Sequence, residues 1–496
     1  MSKNKQILIF SAIGLLVLGG VTALLLLTAP EKEPEKTDTE IVHEEIDERC
    51  YLTNKTIDDI LSVNVVNSLG EYDIIKEDDL WTIDSIQKAA ISNEAVEALV
   101  TNVAAMTATN FVEENAEDLV KYGLDKPTAI VTVKYKDNTE FSFSMGNTVP
   151  SDTKQIYFCE TGKTTVYTYT ASALSLFNEE KFAFISVAAT PEYNQSSGEE
   201  VKKLTIERFD LDEPIVIESL PAPDDGSIAV FAYEMTSPYN AYVDLTNAPN
   251  FMYSIFGLTA EKAAWYGMSE EDYVISGLSD PSCVFTVETN VKNYTITLGN
   301  AISDEVADEN GNVTTKIVGF YGMSSEVPET LFVFDLESIP AMVIQPDELI
   351  SRLFLMPYIY SLDALEYEDK EGTSFELSFE ETGTDENGNA VYKHFLNGEE
   401  HDETRLKAMY QYLISASGEE TYFEEAKGEL LAQVTYNYKK AGEQPHVVQF
   451  YSCDEDRSVI INVNGENLFK TKQIYITQLY SNAKNFLNGG EIVLTY

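Results

Sequence analysis

Residues 122–133 read YGLDKPTAIVTV, and residues 276–287 read SGLSDPSCVFTV, at an offset of 154 positions. The same frame continues downstream, because FSMGN at 143–147 corresponds to ITLGN at 296–300 with an offset of 153. A shared frame of this length indicates a duplicated folding unit. The residues that the two copies share are typical of turns and cores. The repeat therefore says more about architecture than about chemistry.

The first unit is predicted over residues 54–190 as an antiparallel sheet packed against one helix, an α+β fold. Alternating apolar and β-branched residues predict its strands at 57–66, 71–75, 80–83, 129–135, 140–145, 155–159 and 165–169. A helix is predicted over 94–106, with Ser92 or Asn93 as its N-cap. Its apolar stripe comprises Val96, Leu99, Val100, Val103 and Met106. Gly123 is predicted to adopt a positive φ angle.

The second unit is predicted over residues 200–345 in the same order, with Asn247 at the helix start and Pro249 in its first turn. Its strands are predicted at 284–289, 294–298, 318–321 and 331–334. Residues 190–200 are polar and predict a linker between the two units.

A third, diverged unit is predicted over residues 350–496, although no counterpart of YGLDKP occurs there. Asp402 is predicted to cap a helix whose buried face is formed by Leu406, Met409, Tyr410 and Leu413. Strands are predicted at 431–436, 447–451, 459–463 and 474–476.

The N-terminal region predicts a membrane anchor. Residues 1–6 carry Lys3 and Lys5, and residues 7–28 then run without a charge. As a helix this run spans roughly 30 Å, which matches a bilayer core, and the two lysines favour a cytoplasmic N-terminus. A cleaved signal peptide is the alternative, but its apolar region is shorter. Residues 29–53 are acidic and predict a stalk, so the rest of the chain is expected outside the cell.

The charge balance excludes one class of partner. Asp and Glu number 83 against 33 Lys and Arg, a net charge of −50. Nucleic-acid binding requires a basic surface that neutralises phosphates, and no Lys/Arg cluster follows the first six residues. We therefore expect no nucleic-acid partner and interpret the acidic composition as a means of solubility.

Groups for catalysis or metal binding are sparse, and we predict no catalytic, cofactor-binding or metal-binding residue and no enzymatic activity. His43 lacks the second histidine of a zinc-hydrolase motif, and His394 with His401 forms at most a weak cation site in a polar turn. His446 stands apart from both. The pentapeptide DENGN occurs at 308–312 and 385–389, where the Asn-Gly pair predicts hairpin turns in preference to calcium loops.

The four cysteines do not predict a disulfide framework or a metal centre. They lie at unrelated positions of the repeat, and none forms a CxxC pair. We expect mostly buried, unpaired thiols. The cysteines are Cys50, Cys159, Cys283 and Cys453.

The anchor, the WTI strand at 81–83, the capped helix, KYGLDKP at 121–127 and SFSMGN at 142–147 together resemble the family called domain of unknown function 4340. The resemblance is strongest over residues 54–189 and weaker in the second unit, where Ser276 replaces Tyr122. It implies a membrane-anchored, extracytoplasmic bacterial protein that is an accessory or scaffold partner of the permease and ATPase of an ABC-2 type transporter. It implies no catalytic residues. A cell-surface module for glycan or peptidoglycan is the alternative, and an extracytoplasmic hydrolase ranks third.

Overall fold

The alternating segments of the first unit form an antiparallel sheet in the computed structural model. The structure describes residues 47–77, 80–222, 229–244, 246, 251–307, 313–386, 388–425, 427–453 and 457–496. The described residues of Leu52–Tyr496 belong to one compact unit. The predicted anchor at 7–28 lies outside the described residues, as do the stub at 1–6 and most of the stalk. Among the residues that are described, no helix has both the length and the apolar character needed to cross a membrane.

The first sheet has eight strands in the order β3-β2-β1-β5-β6-β7-β8-β4. Its strands are β1 Ile60–Asn67, β2 Gly70–Glu77, β3 Leu80–Ile83, β4 Asn110–Glu113, β5 Ala129–Tyr135, β6 Glu140–Val149, β7 Asp152–Glu160 and β8 Val166–Thr170. Helix α1 (Asn93–Ala104) lies between β3 and β4, and the short helix α2 (Ala171–Leu174) follows β8. The predicted cap is confirmed, since the Ser92 side chain accepts a hydrogen bond from the Ala95 amide.

The second sheet has nine strands in the order β12-β11-β10-β9-β14-β15-β16-β17-β13. Its strands are β9 Val201–Arg208, β10 Ile215–Ser219, β11 Tyr233–Ser237, β12 Ala241–Tyr242, β13 Lys262–Tyr266, β14 Cys283–Thr289, β15 Asn293–Ala307, β16 Val313–Ser324 and β17 Val327–Asp335. Helix α3 (Glu270–Ile275) precedes Gly277, which corresponds to Gly123 in the repeat. The predicted helix start at Asn247 and Pro249 lies outside the described residues.

The third sheet also has nine strands, in the order β21-β20-β19-β18-β23-β24-β25-β26-β22. Its strands are β18 Leu362–Asp369, β19 Ser374–Thr384, β20 Ala390–Leu396, β21 Glu399–Glu400, β22 Glu420–Thr421, β23 Leu430–Tyr438, β24 His446–Ser452, β25 Ser458–Val463 and β26 Glu466–Lys472. The helices are α4 (Pro346–Leu349), which precedes the sheet, α5 (Glu403–Leu413) and α6 (Gln473–Asn488). Asp402 caps α5 through the Arg405 amide, as predicted.

The three sheets share one topology. In each, three consecutive strands form one half, a four-strand meander forms the other, and a short strand from the intervening segment pairs with the last meander strand at the far edge. The second and third sheets add a two-residue strand at the opposite edge. Antiparallel, repeat-like sheets with few helices are thus confirmed in the described residues. Each sheet falls inside one predicted unit, while the unit boundaries themselves stay predictions.

One local prediction is wrong. Residues 474–476 begin helix α6 instead of a strand, because Tyr475, Ile476, Leu479 and Phe486 are buried at helical spacing. The strand precedes them as β26. Residues 190–200 connect the first two sheets, and Thr190 fixes the start of this segment, because its hydroxyl donates to the Ile255 carbonyl and accepts from the Leu258 amide.

Candidate functional site

The duplicated glycines form a close-packed turn in both of the first two units. Gly123 has φ +69°, and a Cβ there would lie 2.4 Å from the Asn147 side chain. Gly277 has φ +79°, and a Cβ there would lie 2.5 Å from the Asn300 side chain. The side-chain amide of Asn300 donates to the Ile275 carbonyl over 2.8 Å. The glycine and asparagine that the two copies share therefore attach the turn to the adjacent strand, which is a structural role.

The residue before each turn glycine differs in chemistry between the two units. The Tyr122 hydroxyl donates to the Glu113 carboxylate over 2.5 Å, and Lys121 lies 2.7 Å from the same carboxylate. Both hydrogen bonds lower the pKa of Glu113, and the one from Lys121 has the larger effect. Ser276 instead donates to the Asp272 carbonyl. No shared reactive group is built on this position.

A cavity of about 300 Å³ lies where the second sheet meets the third. We call it the junction cavity. Strands β11 and β12 form one wall, and the β25–β26 hairpin and the start of β24 form another. Its polar and aromatic lining includes Glu234, Asn240, Tyr242, Phe354, His446 and Glu466.

Aromatic stacking and an amide–carboxylate contact hold the walls of the junction cavity together. The Asn240 side chain donates to the Glu466 carboxylate over 2.5 Å, and the Asn240 backbone N–H donates to the same carboxylate over 3.2 Å. Tyr239 stacks on Phe423 with ring centroids 3.5 Å apart. Both contacts join the second sheet to the third, so they position the two walls.

Burial shifts the titration of the groups in this cavity. It raises the pKa of Glu234, with a further contribution from the charge of Glu218. Burial also raises the pKa of Tyr242 to about 12. The pKa of His446 is lowered by burial, and its Nδ1 lies 2.9 Å from the Tyr438 hydroxyl. A partly desolvated carboxylate beside a neutral imidazole and aromatic rings can bind a cation or share a hydrogen bond.

A second recess, of about 520 Å³, lies on the polar face of the third sheet. Carboxylates of β18 and β19 line it together with amide and hydroxyl side chains of β23 and a turn, namely Glu366, Glu368, Glu376, Asn397, Gln433 and Thr435. The Asn437 side chain donates to Glu366 over 3.0 Å, so part of this acidity is already hydrogen-bonded. The recess is a polar surface without a reactive pair.

The structure does not assemble the candidate cation site at His394 and His401. His394 is only 3% exposed, and its Nε2 lies 3.1 Å from the Tyr360 hydroxyl. The His401 ring packs against Phe486 instead. Throughout the described part of the chain, no group of three or more His, Cys, Asp or Glu side chains could hold a metal ion. His43 lies outside the described residues.

Asp385 and Asn389 close the predicted hairpin turn between β19 and β20, and Asn387 lies outside the described residues. The Asp385 backbone N–H donates to the Asn389 backbone carbonyl. The Asp385 carboxylate accepts from the Asn389 backbone N–H over 2.8 Å. The aspartate oxygens therefore stabilise the turn. The copy at 308–312 lies outside the described residues.

The cysteines agree with the predicted thiols. Cys159 and Cys283 are buried and form no disulfide, and Cys453, also unbridged, is partly buried. Cys50 is buried too. Burial raises the pKa of Cys283 to about 12, so this thiol is a packed core group and not a nucleophile.

We predict that the histidines make stability fall as the pH drops from about 6.5. Burial lowers the pKa values of His394 and His446 in the folded protein, so the unfolded chain binds more protons in that window. The raised pKa of Glu234 acts in the opposite sense. Urea unfolding at pH 7.5 and pH 5.5 should show a smaller stability difference in a His394→Gln/His446→Gln variant than in the wild type. An unchanged difference would contradict the assignment.

Sequence reasoning did not find the junction cavity. Glu234 and His446 lie in different units, and neither stands in a motif. In the sequence, His446 is an isolated histidine. Only the meeting of two sheets brings these residues together.

Comparison with known proteins supports the family resemblance. The model of the family described as Domain of unknown function (DUF4340) matches residues 81–281, less than half of the 496 residues. The match includes both turn glycines, Gly123 and Gly277, and confirms the resemblance over this segment. No curated protein and no solved structure matches the chain.

Proposed function

From a chain whose residues 81–281 match this domain of unknown function, we propose a non-enzymatic, membrane-anchored scaffold outside the cell. Its partner in this proposal is the permease and ATPase of an ABC-2 type transporter, with residues 7–28 as the anchor. The observation that supports the proposal best is the threefold use of one strand order. Repeated units provide extended binding surfaces, and such surfaces suit protein partners.

The sheets offer polar faces that a protein partner could contact. On the first sheet Thr132 and Ser142 pair across β5 and β6 over 3.0 Å. On the second, Thr286 and Thr295 pair across β14 and β15 over 3.1 Å. These hydroxyl pairs occupy corresponding positions and stabilise the ladders without adding charge. The repeat thus preserves a polar face as well as a core.

Exposed apolar residues recur at the glycine turns. Val120 is 65% exposed and Val274 is 66% exposed, and the two are separated by the 154-residue offset of the repeat. A large apolar residue exposed at the same position of two units favours a contact role over a folding role. It gives the scaffold proposal a second, independent support.

Glycan binding at the cell surface is the alternative proposal. Tyr360 and Tyr392 stack with ring centroids 3.8 Å apart, and both are partly exposed. Aromatic faces of this kind can pack against sugar rings. Lys407 lies 5.4 Å from the Tyr360 ring, so a charged group is also within reach of this pair.

We expect affinity purification of the detergent-solubilised, full-length protein from its own cells to recover an ABC permease and its ATPase. Recovery should fall at least tenfold when residues 1–28 are replaced by a foreign anchor, because the contact with a permease would lie in the membrane. A Val120→Ser/Val274→Ser variant with the native anchor tests the contribution of the folded units. Mass spectrometry would quantify the partners in each sample.

Two results would argue against the transporter partner. One is recovery of peptidoglycan fragments in place of the permease, which would favour the glycan alternative. The other is equal recovery of the permease with a tagged, unrelated membrane protein of similar abundance, which would mark the association as nonspecific.

A further inference from the structure

The junction cavity carries negative charge. Glu234 and Glu466 supply carboxylates, while Tyr242 and Phe354 supply aromatic surface. Among the described residues that line the cavity, none is a lysine or an arginine. A cavity of about 300 Å³ is at the small end of the range for ligand sites in proteins.

The position of Glu234 in the sheet explains why its charge is uncompensated. Glu234 on β11 lies directly opposite Glu218 on β10, and Glu218 lies opposite Lys203 on β9. The Lys203 ammonium is already 3.0 Å from the Glu218 carboxylate. Like charges directly opposite each other destabilise a sheet. Glu234 therefore pays an electrostatic cost that a bound cation would offset.

Glu466, in contrast, is already engaged. It accepts hydrogen bonds from the Asn240 side chain and the Asn240 backbone. Within the described part of the chain, we find no hydrogen-bond donor or positive side chain that contacts the Glu234 carboxylate. Glu234 is thus the acceptor in the cavity that a ligand could use.

The neighbours of Glu234 suit an alkylammonium group. Tyr242 lies directly opposite Glu234 on β12, and its ring stacks on Phe231 with centroids 4.1 Å apart. Ammonium groups are attracted to carboxylates and to the faces of aromatic rings, and a short alkyl chain packs against apolar side chains such as Phe354. A divalent metal ion fits less well, because no group of three ligating side chains occurs among the described residues.

We propose that the junction cavity binds a small primary amine, with the ammonium against Glu234 and the alkyl part against Tyr242 and Phe354. This site goes beyond the scaffold function, because it gives the boundary between the second and third sheets a small-molecule ligand. Phe354 precedes β18, so the bound amine would contact the second sheet and the segment that leads into the third.

The test uses the full-length protein in detergent, with n-pentylamine as the probe and 1-pentanol as the uncharged probe of the same length. Ligand-observed NMR titrations at 150 mM NaCl would measure both dissociation constants. We expect pentylamine to bind at least tenfold more tightly than pentanol. Glu234→Gln should weaken pentylamine binding at least tenfold. The control is Glu288→Gln, which removes a carboxylate on β14, opposite Lys203, and should change the affinity less than twofold.

The comparison of the two probes on the wild-type protein does not depend on the folding of any variant. A thermal melt of Glu234→Gln checks that this variant is folded, and removal of the Glu218 repulsion should leave its melting temperature equal or higher. Equal affinity for the two probes would overturn the proposal. Pentylamine binding that persists in a folded Glu234→Gln variant, or displacement of pentylamine by equimolar Ca²⁺, would overturn it as well.

Discussion

Replacing Gly299 with alanine is expected to lower the free energy of unfolding by about 3 kcal/mol. The Cβ of an alanine there would lie 2.1 Å from the Ser276 carbonyl oxygen, far inside van der Waals contact. The backbone must move to relieve this clash. The backbone N–H of Asn300 donates to the same Ser276 carbonyl over 2.7 Å, so this hydrogen bond would be disturbed. The variant therefore disrupts the attachment of the glycine turn to β15. Urea unfolding followed by circular dichroism would measure the loss.

Gly442→Ala is the control for the Gly299 prediction. Gly442 has φ +88°, but a Cβ there meets no atom within 4 Å. Its replacement should cost only the left-handed backbone strain, about 1 kcal/mol. If Gly299→Ala costs no more than Gly442→Ala, the close approach of the two backbones is not what fixes the turn.

The first unit permits the same experiment in a second copy. A Cβ on Gly146 would lie 2.3 Å from the Tyr122 carbonyl oxygen. Gly146→Ala should therefore destabilise as Gly299→Ala does. Amide hydrogen exchange distinguishes the two variants, because Gly146→Ala should expose amides of the first sheet and Gly299→Ala amides of the second.

The glycine turns show why so much of the fold could be predicted. Their shared spacing reflects one local geometry, in which a left-handed glycine and a close backbone approach are required. Strands such as β5 and β6 were also predictable, because alternation of apolar and polar residues follows directly from one buried face. The stripe of α1 was predictable for the same reason, at helical period.

The elements that sequence reasoning missed depend on distant partners. Strand β4 has four residues, and its pairing with β8 joins Asn110 to Thr168. Such a short edge segment has too few residues for alternation to be visible. The start of α6 was misassigned because Ile474 and Ile476 favour strands, and tertiary burial of the helical face decided otherwise. The junction cavity was unpredictable because two units supply its walls.

Replacing Arg208 with alanine is expected to lower the free energy of unfolding by about 3 kcal/mol. Arg208 is only 5% exposed, at the end of β9. Its Nε donates to Asp210 over 2.6 Å, and its Nη1 donates to the Ala341 and Ile344 carbonyls over 2.9 Å each. The guanidinium thus joins the second sheet to the segment that follows β17. Alanine would leave two carbonyl oxygens without a donor and create a cavity.

Two further variants separate the causes of the Arg208 effect. Arg208→Lys keeps the charge but lacks the planar fork, so it should restore only part of the stability. Lys203→Ala removes the partly exposed ion pair with Glu218 and should cost less than about 1 kcal/mol. Urea unfolding of all three variants gives the ranking. A loss in Arg208→Ala no larger than in Lys203→Ala would show that the buried hydrogen bonds of Arg208 do not hold this segment on the second sheet.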